Sequence, residues 1–155
     1  MADTYHQIFV HLIFAVKGRR SLLKKEFRQD FFRVLSSKVK NLGHFPIIVN
    51  GMSDHVHCLI GLNPNQKLSD LVRDLKTKSN QFLRDKDWVA GRFEWQTGYG
   101  AFSYSKSQIN TVYKYILNQE EHHRKLSFKQ EYIGFLKKFE IEFKEDYLFE
   151  FYPEE

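Results

Sequence analysis

Hydrophobic and polar positions follow two different periods along this chain. Residues 5–16, Tyr-His-Gln-Ile-Phe-Val-His-Leu-Ile-Phe-Ala-Val, are nearly continuous β-formers and predict a strand buried on both faces, hence central in its sheet. A basic turn, Lys17-Gly18-Arg19-Arg20, follows. From Leu22 to Leu42 the period changes: Leu23, Phe27, Phe31, Val34, Leu35 and Val39 recur at three and four, predicting an amphipathic helix stopped by Gly43. Pro46-Ile47-Ile48-Val49 and Asp54-His55-Val56-His57-Cys58-Leu59-Ile60 read as two strands. Asn50-Gly51 begins the connection between them, so they are expected to form a hairpin.

A second helix is predicted from the Gln66–Ser69 region to Asp85, with Leu68, Leu71, Val72, Leu75 and Phe82 as its inner stripe. Residues 88–98 are mixed, anchored by Phe93 and Trp95. Tyr99 to Ser105 reads as a strand, with Gly100 marking a bulge or a close backbone approach. A helix then runs from Ser107 to Glu121, capped by Ser105 or Ser107, and a shorter one spans 128–138. An acidic, aromatic segment ends the sequence.

Strand, helix, strand, strand, helix, strand is the βαββαβ order of a ferredoxin-like or RRM-like α+β sandwich, here with an additional C-terminal helix. Its first and third strands lie side by side at the centre, its first two helices cover one face, and the other face is left for a site. No repeat or linker divides the 155 residues. They are expected to form one domain, with a core over about 5–121 and a tail over 122–155.

Composition narrows the reading only a little. A formal charge of +5 suits an anionic partner but also many proteins without one. The single cysteine, Cys58, excludes an intrachain disulfide and fits a reducing cytoplasm as well as other compartments. No apolar run approaches the ~20 residues of a membrane span, and the first residues lack the pattern of a signal peptide.

The candidate chemistry begins at His55 and His57. Alternate side chains of a strand share a face, so both imidazoles point one way, while Val56, Cys58 and Ile60 point the other. Two imidazoles on one rigid strand suit a metal, although paired histidines are also ordinary surface or hydrogen-bonded groups. His11, inside its apolar strand, reads as a hydrogen-bonded interior group, with a role close to the metal as the lesser alternative. On the 107–121 helix, Ile109, Val112 and Ile116 form the core stripe. About 100° around lies a second line of Gln108, Thr111, Tyr115, Gln119 and His122. Tyr115 and Gln119 stand one turn apart. Tyrosine can be a nucleophile and a glutamine carbonyl an oxygen ligand. Over the two histidines they would make a His, His, Gln metal site with a phenol beside it; packing and solvent contact are the ordinary alternatives. Tyr113 projects away from Tyr115 and has Leu117, not a ligand, four residues on.

Three segments carry a family resemblance: residues 50–57 (Asn-Gly-Met-Ser-Asp-His-Val-His), residues 93–103 (Phe-Glu-Trp-Gln-Thr-Gly-Tyr-Gly-Ala-Phe-Ser) and residues 115–119 (Tyr-Ile-Leu-Asn-Gln). In these the chain resembles the single-tyrosine, insertion-sequence transposases (IS200-like) of the HUH endonuclease superfamily, over roughly residues 5–140. The resemblance implies a nucleophile at Tyr115 and metal ligands at His55, His57 and Gln119. It implies metal-dependent cleavage and rejoining of single-stranded DNA at hairpin-bearing element ends through a 5′-phosphotyrosine, with Mg2+ or Mn2+ as cofactor. It also implies a homodimer whose active sites are composed within one subunit or shared between two, in a bacterial or archaeal cytoplasm. Lys17, Arg19, Arg20, Arg73, Lys76 and Lys78 are the candidate phosphate contacts. Two alternatives stand beside this reading. One is a domesticated, repeat-associated HUH endonuclease. The other is a non-catalytic RRM-like binder of single-stranded nucleic acid, stacking bases on Phe9, Tyr99 or Phe102.

Overall fold

The computed structural model describes residues 2–18 and 22–152. Its sheet is built on β1 (Phe9–Lys17), whose side chains are buried on both faces over most of its length. The strand starts later than the run of β-formers, and Tyr5 lies in solvent. One edge of β1 pairs antiparallel with β3 (His55–Gly61), with Ile13 opposite His57. Its other edge pairs with β5 (Gly100–Tyr104) and with the short β4 (Glu94–Trp95). β2 (Phe45–Gly51) pairs with β3 as the expected hairpin, Asn50 opposite His57.

The hairpin is tight for a specific reason. A Cβ on Gly51 would lie 2.2 Å from the carbonyl oxygen of His55, so only glycine allows the two strands to meet there. The bend at Met52–Asp54 is fixed from outside by Val16 N–H to Asp54 O (2.8 Å) and Leu23 N–H to Ser53 O (3.0 Å).

Two helices, α1 (Lys25–Asn41) and α2 (Leu68–Lys86), cover one face of the sheet, close to their predicted spans. Phe31, Leu35 and Leu75 pack there against Phe14, Val56, Cys58 and Ile60, all fully buried. Trp95 and Phe93 anchor the loop after α2 as expected, Trp95 donating its indole N–H to Ser79 Oγ (3.0 Å). These elements make the ferredoxin-like sandwich.

The second face differs from expectation. It carries a roof of its own: α3 (Ile109–Leu117), α4 (Gln119–His123) and α5 (Phe128–Lys138). Ile116, Phe128, Tyr132 and Leu136 close it over Ile13, Leu59 and Phe102. Gly100 marks a close approach: a Cβ there would come within 2.9 Å of the Tyr132 ring. Beyond α5 the chain returns over the roof, Phe149 and Phe151 packing on Phe128. It docks through Gln96, whose Nε2 donates to Glu150 O (2.9 Å) and Val16 O (3.0 Å) and whose Oε1 accepts Glu150 N–H (2.7 Å).

The helix expected over 107–121 is interrupted at Asn118, between Tyr115 and Gln119. No proline or glycine lies there. Instead Asn50 of β2 donates its amide to the carbonyls of Ile116 (2.9 Å) and Leu117 (3.2 Å), the acceptors that Glu120 and Glu121 would use in a continuous helix.

Candidate functional site

His55 and His57 leave β3 on the roofed face, and neither ring reaches solvent. Each has its Nδ1 engaged from behind: His55 with Asp54 Oδ1 (2.7 Å), His57 with His11 Nε2 (2.7 Å). His11 is thus the hydrogen-bonded interior group its setting suggested, and its partner is a member of the site. The two Nε2 atoms turn forward to one point, Glu131 Oε1, at 3.3 Å from His55 and 3.0 Å from His57. His123 Nε2 reaches the same oxygen at 3.2 Å.

The other oxygen of Glu131 faces α3 and α4. It accepts the Tyr115 hydroxyl and the Gln119 amide (3.0 Å). Gln119 Oε1 in turn lies 3.1 Å from His55 Nε2. Tyr115, Gln119, His55 and His57 therefore meet within one chain. The break at Asn118 does not part them; Gln119 is fully buried. Tyr115 is half-buried and stacks on His122 at 4.4 Å, while Tyr113 and Leu117 are turned to solvent.

Charge is confined around this cluster. Burial alone would raise the Glu131 carboxyl, but His57 beside it and hydrogen bonds from His123, His55 and His57 hold it well below the usual carboxylate range. Burial opposes charge on His55, yet Asp54 and Glu131 outweigh it and raise its pKa to about 9. His57 goes the other way, burial lowering it despite Glu131. Burial and then the Glu131 carboxylate push the Tyr115 phenol well above its ordinary value.

The donor set fits a divalent ion. Bonds of roughly 2.0–2.2 Å to nitrogen and oxygen place neighbouring donors about 3 Å apart, and the His55, His57 and Glu131 donor atoms all lie within 4.8 Å of one another. A ligating imidazole is ordinarily fixed through its second nitrogen by an outer partner, the position taken here by Asp54 and His11.

Some candidate residues stand apart from the cluster. Cys58 is buried on the opposite face, among core side chains. Lys76 donates its ammonium to Gln96 O (2.8 Å) and Gly98 O (2.7 Å), so it is spent inside the fold rather than offered to phosphates. Arg73 pairs with Asp70 and Asp74, Lys78 is exposed, and Lys17 lies beside Glu94. Arg19 and Arg20 fall outside the described residues. Phe102 cannot stack a base, being buried against Phe135 and Phe139.

Glu131, His123, Asp54 and Asn50 do not emerge from sequence reasoning as site residues. One of them carried a signal: Glu131 interrupts the apolar stripe Phe128, Tyr132, Leu136, where a carboxylate needs partners to be tolerated.

A sheet bearing a His-x-His strand under a tyrosine helix defines a class, and comparison with known proteins agrees. The fold matches the crystal structure of a candidate transposase from Deinococcus radiodurans with a TM-score of 0.57 and 25% identity, over 77% of this chain and 95% of that one. It matches equally (TM-score 0.57, 16% identity, 79% and 74% coverage) a REP-associated tyrosine transposase bound to a REP hairpin. The family model for IS200-like transposases matches residues 4–119, and the chain belongs to that family. Among curated relatives, the ISDra2 transposase TnpA of Deinococcus radiodurans is 29% identical over 123 residues, 75% of this chain and 86% of that protein. Among the described residues, no helix is long and apolar enough to cross a membrane.

Proposed function

We propose that this transposase cleaves and rejoins single-stranded DNA at hairpin-bearing ends through a 5′-phosphotyrosine on Tyr115, with a divalent ion facing His55, His57 and Gln119. The observation that carries the reading is the gathering of the four side chains: Gln119 Oε1 lies 3.1 Å from His55 Nε2, and the Tyr115 ring lies 6.2 Å from the His57 ring, centroid to centroid. A pure binding module has no use for that arrangement. The structure that shares its fold and holds a REP hairpin is consistent with a folded single strand as substrate.

The phenol oxygen forms a bond to phosphorus as the P–O3′ bond breaks, and the phenolic proton ends on the departing 3′-oxygen. The products are a tyrosyl phosphodiester and a free 3′-hydroxyl, with no net proton gained or lost. The reverse step, attack by a 3′-hydroxyl, expels Tyr115 and rejoins a strand. A divalent ion bound here, Mg2+ or Mn2+, supplies Lewis-acid polarisation of the scissile phosphate. His55 and His57 are aimed by Asp54 and His11, and the Tyr115 hydroxyl is aimed by its carboxylate partner, so little reorganisation is left for the reaction. An apolar cavity of about 390 Å3 between α3, α5 and β5 is lined by both Tyr115 and Glu131 and offers a way in from solvent. Lys138 lies on its wall. Lys17, Arg73 and Lys78 remain the candidate phosphate contacts among the described residues.

The resemblance also carries a homodimer, with active sites composed within one subunit or shared between two. The deciding experiment incubates a labelled hairpin-bearing single strand with the protein and Mn2+ or Mg2+. A covalent adduct is expected from wild type, lost with chelator and lost in Tyr115→Phe. Equal adduct from Tyr115→Phe would remove the nucleophile assignment.

A further inference from the structure

The family match ends at residue 119, and the residue with the most contacts to the cluster lies twelve positions further on. We propose that Glu131 is a working member of the site: its Oε1 joins His55 and His57 in holding the divalent cation, while its Oε2 tethers the Tyr115 hydroxyl beside it. This rests on the reading above and adds to it the only anionic donor that faces both Nε2 atoms among the described residues.

The geometry separates the two duties. Oε1 sees imidazole nitrogens alone: His55, His57 and His123 at 3.0–3.3 Å. Oε2 sees the nucleophile and the Gln119 amide. His, His and Gln are neutral donors, and a doubly charged ion taken out of water into a site without an anion is poorly compensated. Glu131 supplies one negative charge where the ion would need it. The carboxylate is also built in rather than swung in. Ser127 caps α5, its Oγ accepting Gln130 N–H (3.1 Å). Phe128 stacks on the His55 ring at 3.9 Å and 4°. Tyr132 seats in the space left by Gly100. These three contacts set the height and rotation of the helix that delivers Glu131.

The test reads ion affinity apart from activity. Mn2+ is titrated by electron paramagnetic resonance into wild type, Glu131→Gln, Glu131→Asp and Gln119→Ala without DNA. Each protein is then assayed for adduct with the hairpin strand, and thermal melts verify folding. Glu131→Gln keeps the volume and loses the charge; it is expected to weaken Mn2+ at least tenfold, more than Gln119→Ala does. Glu131→Asp keeps the charge on a shorter arm. It is expected to hold Mn2+ within about tenfold of wild type while adduct formation falls much further, because Oε2 no longer reaches Tyr115. Wild-type Mn2+ affinity in Glu131→Gln would overturn the proposal, and adduct formation at or above the wild-type rate in that variant would make Glu131 a stopper in the site. Should Glu131→Gln fail to fold, the split in Glu131→Asp decides: affinity and adduct falling together would refute the two duties. Failure of the parent reading has a different signature, adduct from Tyr115→Phe, and leaves the Mn2+ series intact.

Discussion

Asn50 offers a sharp perturbation of the fold's hold on the nucleophile. Its amide donates to two carbonyls at the end of α3, at 2.9 and 3.2 Å, one bond part-buried and one exposed. At roughly 0.5–1.5 kcal/mol net for each hydrogen bond, Asn50→Ala should cost about 1–2 kcal/mol. Asn50→Asp keeps the shape but replaces both donors with an anion, set against two carbonyl oxygens at the negative end of a helix. That adds roughly another 1 kcal/mol. For a domain of this size each kcal/mol moves Tm by about 2–4 °C. Thermal melts should therefore order wild type above Asn50→Ala above Asn50→Asp, the last some ~4–12 °C below wild type. The kinetic consequence is larger. Asn50 lies opposite His57 in the β2–β3 register, so it ties the Tyr115 helix directly to the histidine strand. A slip of about 1 Å in such a geometry can cost on the order of 10²-fold in rate. Single-turnover adduct formation in Asn50→Asp should fall by that order even well below its Tm. If Asn50→Asp melted with wild type and cut at the wild-type rate, the end of α3 would be held by something else, and the account of the break at Asn118 would fail with it.

Other outcomes follow from the same structure. Gly51→Ala places a Cβ 2.2 Å from His55 O, so the hairpin must open. A loss of more than about 3 kcal/mol in chemical denaturation is expected, and wild-type stability would show that the strands can part cheaply. Phe31→Ala removes a fully buried ring packed against Phe93 and Trp95. About 3–5 kcal/mol should be lost, measured by the same titration. Burial pushes the Cys58 thiol up to about 12 from its ordinary 9.0. Because the folded value is the higher one, this group's share of stability is full below pH 9 and is lost as pH rises from 9 through 12. At pH 8 the thiol should react with a disulfide reagent only as fast as the protein unfolds, and immediate labelling would contradict its burial. His11→Ala should leave the fold standing but weaken Mn2+ binding, on the order of 10-fold or more, by releasing His57 Nδ1; unchanged affinity would show that His57 needs no support from behind.

Local periodicity carried much of this fold. The 128–138 helix and the second helix fall close to where their apolar spacing places them. The face assignment of His55 and His57 follows from strand alternation alone. What was hidden depends on contacts between distant residues. Nothing near Asn118 announces a break, because its cause is an amide 68 positions earlier in another element. Glu131 is anomalous in its stripe, but its meaning appears only when β3, α3 and α5 are stacked. The roof over the second face was concealed for a similar reason: the spacing of Phe128, Tyr132 and Leu136 predicts a helix but not the surface it covers, which is decided by Gly100 and Phe102 on the sheet beneath.

Gln96 meets both main-chain groups of Glu150 with its single amide, as a neighbouring strand would. Such a grip recognises backbone and ignores side-chain identity. At position 150 the side chain adds only an exposed bond from the Tyr152 hydroxyl to Oε2 (3.1 Å), so the Gln96 grip would survive its replacement. Gln96 has no comparable licence: even glutamate in its place would forfeit the donor that serves Val16 and Glu150, leaving the segment to its aromatic contacts.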